Sequence, residues 1–237
     1  MQNRERILEA AARVYAEYGF RGATTRRIAT EAGVNEVTLF RTFGSKAALI
    51  DEAVRSHSAE PLDGPHALPA VPVDPERELT SWASALHEHL RASRALIRKT
   101  MSEMEERSER ATCAAAPTLH AASALRTYMI RMAEAGFFDP AGLGGTLAPA
   151  GTPRPRSEHA YAAGTMLMAA IFSDAMGREM MPDMYPQPVE RAPALYVRMF
   201  LRAIGVETRQ PAARSRAAAP SRHPRRATPP NVNHDTP

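Results

Sequence analysis

The residues with the most chemical content stand between positions 24 and 46. Thr24, Thr25, Arg26 and Arg27 precede an apolar-periodic stretch, Ile28, Ala29 and Ala32. That order predicts a helix N-terminus with Thr24 as its cap. Free N–H groups and the positive dipole end suit a phosphate, and two guanidinium groups add charge. The plainer reading is a capped surface helix with solvated arginines. Asn35 then predicts a second cap, with Leu39 and Phe43 turned inward. Glu36, Val37, Thr38, Arg41 and Thr42 are left outward. A valine suits a thymine methyl, a threonine suits a base or a phosphate, and a carboxylate accepts from a cytosine amino group. Glu36 near phosphates is costly if unpaired. Arg41 and Thr42 fall at the far end, toward the backbone. Ser45 caps a further helix whose first turn holds Lys46. An ammonium there opposes the helix dipole, so a phosphate partner would account for its position.

Two short helices and a turn at Ala32-Gly33-Val34 must aim these groups. Gly33 suits the turn because it takes positive φ without a Cβ clash. A preceding helix over 3–18 carries Ile7, Leu8, Ala11, Val14, Tyr15 and Tyr18 on one face and is ended by Gly19. The helix after Ser45 turns Ala47, Leu49, Ile50, Ala53 and Val54 inward. A short exposed helix braced by a partner helix is what the DNA major groove admits.

These residues also carry a family resemblance. Ile7-Leu8-Glu9-Ala10-Ala11, Tyr18-Gly19-Phe20, Thr24-Thr25-Arg26-Arg27-Ile28-Ala29, Ala32-Gly33-Val34, Thr38-Leu39-Phe40, Phe43 and Ser45-Lys46 resemble, in order, the N-terminal domain of TetR-type (TetR/AcrR) transcriptional regulators. The resemblance implies an all-α chain, with a three-helix helix-turn-helix domain and a larger C-terminal helical domain for effector binding and dimerisation. It implies double-stranded DNA with a palindromic operator, a second copy of the chain, and a small-molecule effector as partners. It also implies that Arg26 reaches a base edge. Phe40 departs from the family, which usually has a phosphate-bonding tyrosine there. Phe40 keeps the ring and loses the hydroxyl, which shifts weight to Arg41 and Lys46.

The remaining chain reads as a Pro-rich linker over 57–74, a helical domain over 75–205 and a basic tail over 206–237, following a DNA-binding domain over 1–56. Helical spacing places elements near 75–92, 93–110, 117–135, 157–176 and 189–204. Trp82, Met101, Met104, Leu125, Met129 and Met168 form a candidate ligand pocket, deformable and apolar. The same residues serve equally as ordinary core. The last two helices, by resemblance, pair with their symmetry mates; the alternative packs them inside one subunit. The segment 136–156 reads as a flexible loop, a candidate lid over a cavity, and not as a phosphate loop, since no Lys-Ser or Lys-Thr follows its glycines. His87 and His89, two apart on a helix, point about 200° apart and do not share a metal ion. Cys113 reads as a small hydrophobe rather than a redox thiol.

The chain has 237 residues, 44% hydrophobic content, a formal net charge of +4 and one cysteine. A single cysteine excludes an internal disulfide framework. Charged residues at the start and the lack of a long apolar run lead to the expectation of a cytoplasmic protein without membrane partners. Neither a cofactor nor catalysis is expected. The leading expectation is a homodimeric repressor released from its operator by a small apolar ligand. The alternative is a DNA-tethered adaptor or activator whose C-terminal domain binds a protein. The tail lacks the apolar content for a core and reads as disordered.

Overall fold

The computed structural model describes residues 2–59, 64–103, 108–140 and 158–206. Every regular element among them is helical. In chain order they are α1 (Gln2–Gly22), α2 (Thr25–Ala32), α3 (Glu36–Phe43), α4 (Lys46–Ala59), α5 (Pro75–Ala92), α6 (Arg94–Ser102), α7 (Ser108–Glu134), α8 (Glu158–Gly177) and α9 (Ala192–Ala203).

The apolar periodicities close two cores. Ile7, Ala11 and Val14 of α1 pack with Ile28 of α2, Leu39 of α3, and Leu49 and Ile50 of α4. Trp82 and Leu86 of α5, Leu125 and Tyr128 of α7, Ile171 of α8 and Leu201 of α9 make the second. One α6 residue, Leu96, is buried in the first core although it lies beyond α5 in sequence. Gly164 lets α7 and α8 approach closely: a Cβ there would lie 3.3 Å from the Met129 sulfur.

Some boundaries differ from the sequence expectation. Gly19 does break α1, with φ 66° and ψ −178°, but one more helical turn follows it to Gly22. The helix expected over 93–110 stops at Ser102. The next begins at Ser108 and runs through Pro117, where a start was expected. Alanines are the strongest helix formers, and Ala114, Ala115 and Ala116 carry the helix across a proline that cannot donate its own bond. The connection after Gly64 has no helix but lies on the second core through Leu68. Arg131 Nη1 donates to Pro69 O at 3.2 Å, and His66 Nδ1 sits 2.9 Å from Ser81 Oγ.

A buried ionic cluster ties α5, α8 and α9. Asp174 accepts from Arg178 Nε and Nη2, both at 2.6 Å, and from the Tyr196 hydroxyl at 2.7 Å. His87 Nε2 is 3.2 Å from the same carboxylate, off the line a hydrogen bond needs. Arg178 also donates to Pro186 O at 2.8 Å. Among the described residues no helix is long and apolar enough to cross a membrane. No group of three or more His, Cys, Asp or Glu among them could hold a metal ion. Met104, the segment 141–157, the tail from 207 and the Cys113 side chain lie outside the described residues.

Candidate nucleic-acid interface

Local sequence fixes the aim of α3. Thr24 is extended, at φ −73° and ψ 148°, and its hydroxyl accepts from Arg27 N at 3.3 Å. Gly33 takes φ 62° and ψ 38°, which lets Val34 N return to Ala29 O at 3.0 Å and close α2. Asn35 Oδ1 then accepts from Val37 N at 2.9 Å and opens α3. Arg6 of α1 donates to Ala32 O at 2.6 Å, supplying a cation where the dipole of α2 is negative. Three of these contacts are local to α2, the turn and the start of α3, and the fourth, from Arg6, ties the turn to α1.

The outward face of α3 is open. Val37 is 71% exposed and Phe40 49%. Arg41 and Thr42 are exposed, and Thr38 is half-buried. The Thr42 hydroxyl donates to Thr38 O at 2.8 Å, so its oxygen keeps lone pairs for an outside donor while its proton is used. Glu36 accepts from the Thr25 hydroxyl, which joins the N-termini of α2 and α3. That bond answers the cost of a carboxylate at this surface, because Glu36 is paired within the fold. Thr24 and Arg26 are exposed beside it.

Two cations of this region have partners within the fold. Arg27 lies 3.9 Å over the Tyr18 ring and donates to Gly22 O at 2.8 Å. Lys46 donates to Phe20 O at 2.7 Å and lies 4.3 Å from the Phe20 ring centroid. A phosphate contact by Lys46 would need that bond to open. Sequence reasoning gave no hint of Arg6 or of the Lys46 bond, because both join residues 26 positions apart.

Behind this head lies an apolar cavity of about 60 Å³, between α4, α5, α6, α7 and α8. Met101 and Met168 line it, with Val54, Leu96, Ala121 and Phe172. Of the other expected pocket residues, Leu125 and Met129 sit in the closed second core. Trp82 is fully buried there too, its indole N–H without a hydrogen-bond partner among the described residues. Among the described residues no Asp, Glu, Lys or Arg lines the cavity; His89, Ser93, Thr100 and Thr118 are its polar members there. A drug-sized ligand needs roughly 300 Å³ or more, so this cavity holds one only by moving a wall. On the opposite side, α8 and α9 form an open apolar groove of about 200 Å³ lined by Ala163, Met166, Ala170, Met199 and Ala203. Met166 is 70% exposed there and Met199 68%.

Residues 7–53 match the family model described as bacterial regulatory proteins, tetR family. Over 55 residues the chain is 40% identical to the uncharacterized HTH-type transcriptional regulator YvkB of Bacillus subtilis, covering 23% of this chain and 29% of that protein. It is 39% identical over 57 residues to the HTH-type transcriptional repressor AcnR of Corynebacterium glutamicum, covering 24% and 30%. A third alignment, 29% identical over 94 residues, covers 40% of this chain and 46% of the repressor KstR2 of Rhodococcus jostii. The matched region thus spans less than half the length of these relatives. Solved structures extend the likeness of fold. The fatty acid degradation regulator FadR of Bacillus halodurans superposes with a TM-score of 0.60 at 17% identity, over 86% of this chain and 99% of that one. A Rhodococcus transcriptional regulator gives 0.56 at 22% identity, over 86% and 99%.

Proposed function

The N-terminal domain of this chain belongs to the tetR family of bacterial regulatory proteins, and from that premise we propose a DNA-binding transcriptional regulator. The carrying observation is the α3 face: Val37, Thr38, Phe40, Arg41 and Thr42 project from a helix locked at both ends. In this reading Val37 and Thr38 meet base edges, Arg26 meets a base edge or a phosphate, and Thr24, Thr25, Arg41 and Thr42 hold the backbone. Glu36 acts chiefly by fixing Thr25.

The protein works as a homodimer. The α8–α9 groove meets its symmetry mate across Met166 and Met199, and two α3 helices about one DNA turn apart read a palindromic operator. It is a repressor released by a small, uncharged, apolar ligand that enters the cavity beside Met101 and Met168. Release follows only if that ligand favours the form that binds DNA less well. Sequencing of genomic fragments retained by the purified protein tests the DNA reading. Retention without any shared, near-palindromic sequence would refute it.

A second reading is favoured by another patch. Met180, Met181 and Met184 are exposed after α8, at 71%, 44% and 69%. A partner protein docking there would make the chain a DNA-tethered adaptor or activator. Gel shifts with apolar ligands separate the two: ligand-dependent release favours the repressor, and indifference to every ligand favours the adaptor.

A further inference from the structure

Helix α6 belongs to two environments at once. Leu96, Ile97, Thr100 and Met101 wall the cavity, while Leu96 also closes the N-terminal core. One turn further on, Glu103 leaves the cavity and grips α1. Its Oε1 accepts from Phe20 N at 3.0 Å, and its Oε2 accepts from the Tyr15 hydroxyl at 3.1 Å. Lys99 stands beside it at 3.8 Å.

The grip falls where α1 is broken. Gly19 has φ 66°, so the peptide groups around Phe20 lose their regular helical partners. Glu103 of α6 takes the Phe20 N–H, and Lys46 of α4 takes the Phe20 carbonyl. Gly19 also leaves the space this needs. A Cβ there would collide with both the Glu103 carboxylate and the Lys99 side chain. Two residues on, Gly22 O receives Arg27 of α2. The backbone from Phe20 to Gly22 therefore joins the cavity wall, the first turn of α4 and the start of α2.

We infer that Glu103 is a positioning residue for DNA binding, coupling the cavity to the reading head through the backbone from Phe20 to Gly22. A ligand that displaces α6 draws the carboxylate off Phe20 N–H. The break at Gly19 then loosens, and with it the Lys46 and Arg27 anchors that set the attitude of α2 and α4. This inference rests on the proposed release by ligand.

The test uses a cavity-filling substitution in place of the unidentified ligand. Ala121, fully buried in α7, lines the cavity. Ala121→Leu should push α6 outward and weaken binding to a retained genomic fragment by about tenfold, a usual size for coupling between sites. In a Glu103→Ala background the same substitution should cost less than about threefold. Glu103→Gln keeps acceptor and donor atoms for Phe20 and Tyr15 and should restore most of the tenfold effect. Equal weakening by Ala121→Leu with and without Glu103 overturns the coupling alone. No weakening in the otherwise native chain overturns ligand release as well. A second measurement needs no Glu103 variant: amide exchange at Phe20 should quicken in Ala121→Leu, and unchanged protection there overturns the inference.

Discussion

Arg26 and Arg27 are adjacent and identical, yet the fold gives them different work. Both are exposed, but Arg27 is stacked on Tyr18 and bonded to Gly22 O. Arg27→Ala should therefore lower stability by about 1 kcal/mol, the sum of a surface cation–π contact and a hydrogen bond. Arg26→Ala should leave the melting temperature unchanged. It should cost about 1–3 kcal/mol in specific DNA binding if it reads a base, and should weaken all sequences alike if it holds phosphate. Fluorescence anisotropy on matched and scrambled fragments distinguishes these. Phe40 invites the reverse experiment. Its ring is half out in solvent, so Phe40→Tyr adds a hydroxyl without disturbing the core. Binding should tighten several-fold, about 1 kcal/mol, if that edge faces a phosphate.

At the scale of elements, the Asp174 cluster is the firmest joint between α5, α8 and α9. Asp174→Ala would strand the buried Arg178 guanidinium and should cost about 3–5 kcal/mol, measured by urea denaturation. The cluster also sets a pH dependence. Burial holds His87 below the ordinary imidazole value of 6.5, against the opposing pull of Asp174 and aided by Arg91 and Arg178. The unfolded chain thus takes up a proton near that pH while the native chain does not. Stability is full above about 6.5 and falls as pH drops below it. For Asp174, burial pushes the carboxyl up, but hydrogen bonds from Arg178 and Tyr196, with His87 close by, outweigh it and hold the group below 3.8. Its contribution persists above that value and is lost in stronger acid. The melting temperature should fall between about pH 7 and pH 5, and His87→Leu should flatten that fall.

For the whole molecule, the open groove on α8 and α9 is an apolar surface left uncovered within one chain. Met166 and Met199 are apolar, exposed and on adjacent helices. Met166→Glu with Met199→Glu places charge on that face. The pair should convert a dimer to monomer in analytical ultracentrifugation and weaken operator binding by at least about a hundredfold, since both half-sites must be engaged together. A monomer in the unmodified protein would end this reading.

What the chain by itself determined is local. Thr24, Gly33, Asn35 and Ser45 each act on backbone groups within four residues, so caps and turn were legible, and the apolar periodicities of α1 to α4 named their buried faces except at Tyr18, which lies at the broken end of α1 and is 43% exposed. The helical class of the C-terminal part was legible for the same reason. The tertiary structure alone decided which charges are engaged within the fold. Arg27 and Lys46 read like the exposed Arg26 until Tyr18 and Phe20 come within reach. The boundary between α6 and α7 was equally hidden, because a charged stretch and an alanine run carry no signal of where one helix yields to the next. Glu103 lies 83 residues from the peptide it holds, and His87 is far along the chain from Asp174. Such partners are set by how helices pack, and packing depends on the summed shape of both cores rather than on any spacing written in the chain.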